Sequence, residues 1–334
     1  MPFDIPPCRV LVASPTYKHA QYLEARINSV FGQTWRDLHL LVVNDASPDN
    51  TAEVMARYAG RPNVTLFTRS VNSGSPFAAW RDVFERADCE YLWIAESDDR
   101  AEPNFLQCGL EALQAAPQAS FYYTHSWVTN EADELCGHTI NYLRRQFPAM
   151  DWMKSQKIDG ADFNNRVQIY GNALPNMSSA VMRMNTFRKA FDPSFDSFRL
   201  AADWAFVGRL AAAGDVLFNA KTHNHFRKHQ VTARATTSLE RTCAEFSRAI
   251  SMIGELPGVE EANTLASLER TAHMFLYERG SVLELAKWSL KFGVGHNVKL
   301  AWRLLQHLKQ RPDLRERLRG YLAPRRAALS AAPA

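Results

Sequence analysis

Short apolar runs alternate with helical patterns over the first hundred residues. The runs at 9–14, 39–43, 64–67 and 90–95 are rich in β-branched and aromatic residues, which is typical of buried strands. Between them, apolar side chains recur at helical spacing over 21–31, 52–58 and 77–86. Strands that alternate with helices pair in parallel through right-handed crossovers. The pattern therefore predicts an α/β fold: a Rossmann-like three-layer α/β/α sandwich with a mostly parallel central sheet.

Carboxylates follow two of these predicted strands. Glu96, Asp98 and Asp99 come directly after the run at 90–95, and Asp45 follows the run at 39–43. Because ligands of open α/β sheets bind beyond the carboxyl ends of the strands, this cluster predicts a site for Mn2+ or Mg2+. The alternative is a solvated turn that caps the helix after Pro103.

Two common nucleotide sites are excluded by the loops that follow the strands. Pro15, Thr16, Tyr17 and Lys18 stand where a dinucleotide-binding fold has its glycine-rich turn, and no Walker loop occurs in the chain. An NAD enzyme or a P-loop NTPase is therefore not expected. Asp45 and Asp98 would instead face each other across the strand tips, one towards a base or ribose and one towards a metal-bound diphosphate.

Five motifs in order make the first half similar to the nucleotide-sugar half of family 2 glycosyltransferases, which have the GT-A fold. They are Pro15-Thr16-Tyr17, the segment 29–34, the segment 43–51, Asn72-Ser73-Gly74 and Glu96-Ser97-Asp98-Asp99. The resemblance implies a set of nucleotide-binding residues: Pro15, Thr16, Tyr17, Asp45, Asn72, Gly74, Glu96, Ser97, Asp98 and Arg227. It also implies that Asp98 and His229 hold the metal. Glu96 departs from the family's Asp-x-Asp pattern by one methylene group, and Asp99 is either a ligand or a support.

The same resemblance gives roles to the second half. Asp203 would be the catalytic base, although without the resemblance a charge at the start of a helix is the favoured interpretation. Asn176, Ser178 and Trp204 would bind the acceptor. His223 and His225 are expected to be strand residues rather than zinc ligands.

The function implied is a metal-dependent, inverting transfer of a sugar from a nucleoside diphosphate sugar to a hydroxyl. The acceptor would be a glycan or a lipid-linked glycan in bacterial surface polysaccharide or lipopolysaccharide synthesis. Two alternatives stay open. One is a non-catalytic sugar-nucleotide-binding or scaffold protein, and the other is a sugar-1-phosphate nucleotidyltransferase, which should have a glycine-rich basic loop after its first strand.

The length of 334 residues predicts a catalytic domain followed by an appendage. We assign 1–236 to the catalytic domain (8–125 for the nucleotide sugar, 126–236 for the acceptor), 237–322 to a helical region and 323–334 to a disordered tail. Helices are expected at 239–253, 261–279, 282–292 and 298–308.

Charge and targeting signals refine the expected partners. From residue 287 onward there are eleven Lys and Arg against two acids, so the preceding part is mildly acidic, and nucleic acid is not its expected partner. The basic, amphipathic helix at 298–308 either contacts an anionic membrane or packs on the catalytic domain. No leader or membrane span is visible, so we expect a cytoplasmic protein, which would act at the inner face of the plasma membrane if this helix contacts lipid. The five scattered cysteines predict neither disulfides nor a thiolate metal site.

Overall fold

The computed structural model describes residues 4–174, 176–230 and 236–279. They fall into two compact units, with the division between Thr232 and Ala233. The strands of the first unit are β1 Cys8–Thr16, β2 His39–Asn44, β3 Val64–Thr68, β4 Cys89–Ile94, β5 Arg100–Ala101, β6 Ala119–Thr129, β7 Leu135–His138, β8 Gln156–Ile158, β9 Ala180–Arg183 and β10 Asp215–Arg227.

The helices of the first unit lie between these strands. They are α1 Ala20–Phe31, α2 Thr51–Ala56, α3 Phe77–Arg86, α4 Phe105–Ala115, α5 Thr139–Gln146, α6 Gly160–Arg166, α7 Met184–Ala190 and α8 Ala202–Ala212. Short 3-10 turns stand at Gln168–Tyr170, Met177–Ser179 and Pro193–Ser197. The alternation of strand and helix over the first hundred residues confirms the predicted α/β class.

One sheet runs through the first unit in the order β3-β2-β1-β4-β9-β6-β10-β5, with β7 beside β6 and β8 beside β10. Strands β3, β2, β1 and β4 are parallel to one another. Strand β9 runs antiparallel to both β4 and β6, so β6 and its parallel neighbour β10 point the same way as β4. Six long strands therefore deliver their carboxyl ends to one edge of the sheet.

Apolar burial explains why these segments form the strands. All six residues of β2 are buried, and so are Tyr91, Leu92, Trp93 and Ile94 of β4. Helix α1 covers this part of the sheet with one face, to which Leu23, Ile27 and Val30 contribute. Each such side chain stabilises the fold by roughly 1.5–3 kcal/mol when it leaves water.

The second unit is described as two helices, α9 Leu239–Gly254 and α10 Glu261–Arg279. Ser238 caps α9 by accepting a hydrogen bond from the backbone N–H of Arg241. The helices approach closely at Gly254, where an added Cβ would lie 2.5 Å from a side-chain carbon of Thr264. The predicted helices 282–292 and 298–308 and the predicted tail 323–334 lie outside the described residues. Within the described part of the chain, no helix is both long and apolar enough to cross a membrane.

Candidate active site at the carboxyl edge of the sheet

Asp98 and His229 meet at the edge where the six strands end. Asp98 follows β4 and His229 follows β10, and the Asp98 Oδ2 and His229 Nε2 atoms are 2.9 Å apart. Burial alone would raise the pKa of Asp98, but the hydrogen bond from His229 and the nearby His19 lower it below its usual value. The hydrogen bond with Asp98 raises the pKa of His229. The two residues named as metal ligands from the sequence are thus direct neighbours.

His19 is a third member of this group that sequence reasoning missed. It lies just beyond β1, and its Nε2 is 4.0 Å from Asp98 Oδ2. Its ring stacks on that of His229 with centroids 5.7 Å apart. The signal that was available is its position, because β1 ends at the same edge as β4 and β10.

These three side chains fit a divalent cation. Each offers one ligand atom, and the atoms of His19, Asp98 and His229 all lie within 4.8 Å of one another. Burial lowers the pKa of His19, so its ring is neutral near pH 7 and keeps a lone pair for a metal. Among the described residues this is the only such group of histidine and acidic side chains.

Asp99 faces inward and supports the acidic turn. It is 2% exposed, and it accepts hydrogen bonds from Asn176 Nδ2 at 2.6 Å and from the backbone N–H of Arg227 at 2.9 Å. Burial and the neighbouring Asp98 raise its pKa to about 6. Of the two roles left open for Asp99, this environment favours the support.

Glu96 is held at the same turn by its backbone. Its N–H donates to Ser178 Oγ at 2.9 Å, and its carbonyl accepts from Arg26 Nε at 2.9 Å. Burial raises the pKa of Glu96 well above its usual value, and the charges of Asp99, Asp98 and Asp203 raise it further. The Asp203 carboxylate is therefore one of the negative charges that act on Glu96.

A buried cation underlies the three carboxylates. Arg26 of α1 has no solvent exposure, and its Nη1 and Nη2 find no hydrogen-bond partner among the described residues. Burial lowers its pKa to about 10, against the opposing effect of Asp99, Asp98 and Glu96. Arg26 therefore offsets the negative charge of the turn from within the protein.

Arg227 lies behind the site. Its side chain is 2% exposed, its Nε donates to the Asp98 carbonyl at 2.8 Å and its Nη1 to the Asn130 carbonyl at 2.8 Å. Its Nη2 pairs with Asp133, and the guanidinium lies 4.3 Å from the ring centroid of Tyr22. This geometry favours a structural role over the predicted contact with the diphosphate.

The three side chains predicted to bind the acceptor are also buried. Ser178 is fully buried, and Asn176 and Trp204 are 4% and 6% exposed. Ser178 and Asn176 hold Glu96 and Asp99, as described above, and the Trp204 indole donates to the carbonyl of Gln168. These buried side chains support the acidic turn and the start of α8 from inside the protein. This arrangement does not favour their predicted contact with an acceptor.

Asp203 stands in the first turn of α8, partly exposed. Its Oδ2 accepts from Asn172 Nδ2 at 3.0 Å, and its Oδ1 accepts from the backbone N–H of Trp204 at 2.8 Å. Burial raises its pKa to about 6, although these two hydrogen bonds oppose the shift. A carboxylate with this pKa is ionised at neutral pH and can accept a proton.

The residues predicted to hold the nucleoside surround the ends of β1 and β2. Thr16 follows Pro15 in β1 and lies beside Asn44 of β2. The Thr16 side chain is buried, with 3% exposed, whereas Tyr17 is 39% exposed. The Asp45 carboxylate accepts from Ser73 Oγ at 2.9 Å and pairs with Arg69 Nε at 3.3 Å. Asp45 is therefore already engaged by its own protein.

The segment that engages Asp45 contains the predicted residues Asn72 and Gly74. Asn72 Nδ2 donates to the Asp45 carbonyl at 2.9 Å, and the Gly74 N–H donates to Asn72 Oδ1 at 2.8 Å. Gly74 has a φ of 73°, a conformation that favours glycine. The structure thus brings Asp45, Asn72 and Gly74 together.

His223 and His225 are occupied by other side chains. His223 Nδ1 is 3.0 Å from Asn104 Oδ1, and His225 Nε2 is 2.7 Å from Glu102 Oε1. Both belong to β10, as expected, and neither is part of the group formed by His19, Asp98 and His229.

Comparisons with known proteins agree with this architecture. The sequence model of glycosyl transferase family 2 matches residues 11–167, from within β1 to the end of α6. An uncharacterized glycosyltransferase of Nostoc sp. is 25% identical over 243 residues, which cover 70% of each chain. The chondroitin synthase of Pasteurella multocida is 30% identical over 134 residues, 40% of this chain and 14% of that protein.

A solved structure with a similar fold is that of S. aureus TarS 1-349 in complex with UDP-GlcNAc. The TM-score is 0.66 at 18% identity, over 96% of this chain and 92% of that chain. The shared fold extends the likeness beyond the residues that the family model matches. From the match at residues 11–167, the fold and the acidic edge of the sheet, we conclude that the first unit contains a glycosyl transferase family 2 domain and that the protein is a glycosyltransferase with the GT-A fold.

Proposed function

We propose that this glycosyltransferase moves a sugar from a nucleoside diphosphate sugar to a hydroxyl of a glycan or lipid-linked glycan, in one inverting, metal-dependent displacement. The observation that carries the proposal is the presence of two acidic groups in the first unit, each held by its own hydrogen bonds: Asp98 and Asp203. Asp98 lies with His229 at the carboxyl edge, and Asp203 lies close enough for its charge to raise the pKa of Glu96. A displacement of this kind needs a site for the leaving diphosphate and a base for the attacking hydroxyl.

Asp203 is the base in this proposal. Its hydrogen bonds with Asn172 and the Trp204 N–H fix both carboxylate oxygens in place. The ionised carboxylate takes the proton of the acceptor hydroxyl while that oxygen bonds to the anomeric carbon. The bond from the anomeric carbon to the diphosphate oxygen breaks in the same step, and the electron pair leaves with the diphosphate. One displacement at the anomeric carbon inverts its configuration.

Asp98 and His229 are the proposed ligands of Mn2+ or Mg2+. When bound, such an ion would neutralise the charge that develops on the leaving diphosphate. Arg26 and Arg227 support these ligands from inside: Arg26 offsets the charge of the acidic turn, and Arg227 binds the Asp98 carbonyl. The ligands are thus held in place before any donor arrives.

A uridine nucleotide is the proposed donor carrier, and a bacterial surface polysaccharide is the proposed setting. The TarS structure of similar fold was solved with UDP-GlcNAc, and one relative is a chondroitin synthase. Asp45 has the hydrogen-bond acceptors that a base such as uracil requires. The base would replace the Ser73 hydroxyl as the donor to this carboxylate. The proposed location is the cytoplasmic side of the membrane, with the basic segment from residue 287 in contact with anionic lipid.

Neither alternative has comparable support. A nucleotidyltransferase should have a basic, glycine-rich loop after β1, where this chain has Pro15, Thr16 and Tyr17. A scaffold protein would have no need for a partly exposed carboxylate whose burial raises its pKa to about 6.

Thermal unfolding with a panel of nucleotides tests the donor site. UDP, GDP, dTDP, CDP and CMP are each added with and without Mn2+ to the wild type and to Asp98→Ala. Because a ligand of the folded state raises the melting temperature, UDP with Mn2+ should give the largest rise, and Asp98→Ala should lose the metal-dependent part. No shift with any nucleotide in a folded protein would contradict the proposal.

A further inference from the structure

We propose that His19 is a third protein ligand of the ion held by Asp98 and His229, and that this site of two imidazoles and one carboxylate favours Mn2+ over Mg2+. The inference rests on the metal-dependent function proposed above. It adds a third protein ligand to that site, and it predicts which ion the site prefers.

The distances suit a common ion. Two ligand atoms about 2.1 Å from one cation are about 3.0 Å apart when adjacent and about 4.2 Å apart when opposite. Asp98 Oδ2 is 2.9 Å from His229 Nε2 and 4.0 Å from His19 Nε2. Both distances lie close to this range, so an ion could replace the hydrogen bond of the Asp98–His229 pair with little movement of the side chains.

The ring of His19 is oriented for this role by its other nitrogen. Its Nδ1 is 2.8 Å from the Oγ of Ser97, which is 1% exposed, and this contact directs Nε2 towards Asp98. Histidines that bind metals typically have such a partner at the second nitrogen.

The backbone on both sides of His19 is constrained as well. Lys18, which precedes it, has a φ of 59°, and the N–H of Ala20, which follows it, donates to Asp49 Oδ2 at 3.2 Å. The stacked ring of His229 limits movement on one side. A side chain fixed from this many directions is already arranged for a ligand.

The donor set determines which ion is preferred. Mg2+ favours oxygen ligands, whereas imidazole favours transition metals over Mg2+. Two imidazoles and one carboxylate occupy three positions of an octahedral ion, which leaves three for diphosphate oxygens and water. Loss of one imidazole should therefore weaken binding of Mn2+ far more than binding of Mg2+.

Electron paramagnetic resonance of Mn2+ bound to the full chain tests the proposal without an activity assay. A Mn2+ titration gives the dissociation constant, competition with Mg2+ gives the selectivity, and echo modulation counts the coordinated nitrogens. The variants are His19→Ala, His19→Gln, His229→Gln, Ser97→Ala and Asp98→Ala. His225→Gln is the matched control, because this imidazole of β10 pairs with Glu102 outside the site. Thermal unfolding confirms that each variant is folded.

We expect two coordinated nitrogens in the wild type and in His225→Gln, and one in each His19 variant and in His229→Gln. The His19 variants should bind Mn2+ at least about tenfold more weakly, with a smaller preference over Mg2+. Ser97→Ala should keep both nitrogens and lose about tenfold in affinity.

Two results would overturn the proposal in different ways. If the wild type and His19→Ala bind Mn2+ equally, and Asp98→Ala does not bind it, His19 is not a ligand but the metal site of the proposed function stands. If the wild type binds no Mn2+, with or without UDP, the metal dependence of the proposed function fails as well.

Discussion

At the scale of single residues, the protonation of Asp203 controls the proposed chemistry. Burial raises its pKa to about 6, so the carboxylate is ionised above that pH and protonated below it. A protonated carboxyl cannot take the proton of an acceptor hydroxyl. The rate should therefore fall as the pH decreases through this value.

The first prediction is an acid limb in the pH profile of kcat/KM, centred near pH 6 with a slope of one. It is measured by initial rates of transfer between pH 5 and 8 at saturating metal. The residual rate of Asp203→Asn should lack this limb. If the limb persists in that variant, another carboxyl is responsible, and Asp99 with its pKa of about 6 is the first to examine.

A second prediction concerns Arg26. Its removal leaves the buried acidic turn without its internal cation, so Arg26→Met should lower the free energy of unfolding at pH 7 by about 3 kcal/mol or more. Urea unfolding measures this change. The control is Arg57→Met, because the Arg57–Glu24 pair is 59% and 51% exposed and should contribute less than about 1 kcal/mol. Equal effects of the two substitutions would contradict the assigned role of Arg26.

The residues that sequence reasoning missed share one property, which is that their partners are distant in sequence. His19 contacts Ser97, Arg26 contacts the Glu96 carbonyl, and Asn172 contacts Asp203. Local motifs identify a carboxylate at a strand end, but they do not show which side chain of another loop will meet it. For the same reason the sequence did not show that Asn176 would be buried.

At the scale of secondary structure, α6 and α8 are in very close contact where Gly160 begins α6. An added Cβ at this position would lie 1.8 Å from the carbonyl oxygen of Ala211 and 2.6 Å from that of Gly214. Ala211 belongs to the last turn of α8, the helix whose first turn carries Asp203, and Gly214 lies two residues beyond its end. The packing of α6 thus helps to position the proposed base.

The third prediction is that Gly160→Ala destabilises the protein by about 3 kcal/mol, because α6 and α8 must move apart. The free energy of unfolding in urea measures the effect. Gly137→Ala is the control, since its nearest new contact would be an ordinary 3.6 Å to Val128. A Gly160→Ala protein as stable as the Gly137→Ala protein would show that the backbone adjusts freely here.

Elements with a strong hydrophobic period were predictable, and short ones were not. Helix α3 at Phe77–Arg86 agrees with the prediction at both ends, and α10 begins at the predicted residue, Glu261. Strands β5, β7 and β8 have two to four residues, which is too short for a periodic signal, and they form because neighbouring strands offer hydrogen bonds. The direction of β9 between β4 and β6 is likewise a property of the assembled sheet.

At the scale of the whole molecule, the charge of the chain is unevenly distributed. From residue 287 onward, eleven basic side chains stand against two acidic ones. These residues lie outside the described part of the chain. A segment of this charge should bring the enzyme to an anionic surface.

The fourth prediction is that the full chain co-sediments with vesicles that contain phosphatidylglycerol, and that salt releases it. Replacement of Lys299, Arg303 and Lys309 with Gln should weaken this binding by about 1 kcal/mol per residue. Uncharged phosphatidylcholine vesicles are the control. Equal binding to both kinds of vesicle would contradict an electrostatic contact.

In the first unit, six strands point the same way, so the loops that follow them lie at one edge of the sheet. That edge receives His19 after β1, Asp45 after β2, Asp98 after β4 and His229 after β10. Residues from distant parts of the chain thus lie at the same edge, and we propose that they act together with Asp203 as one site. The central claim is that this edge binds the donor and that Asp203 activates the acceptor.

The most direct test compares Asp203→Asn with the wild type in two measurements on the same samples: UDP binding with Mn2+, and sugar turnover from a panel of UDP-sugars. The account predicts turnover about 10^2 to 10^4 lower with UDP affinity unchanged, because the substitution removes the base and leaves the donor site intact. Unchanged turnover in Asp203→Asn would contradict the claim.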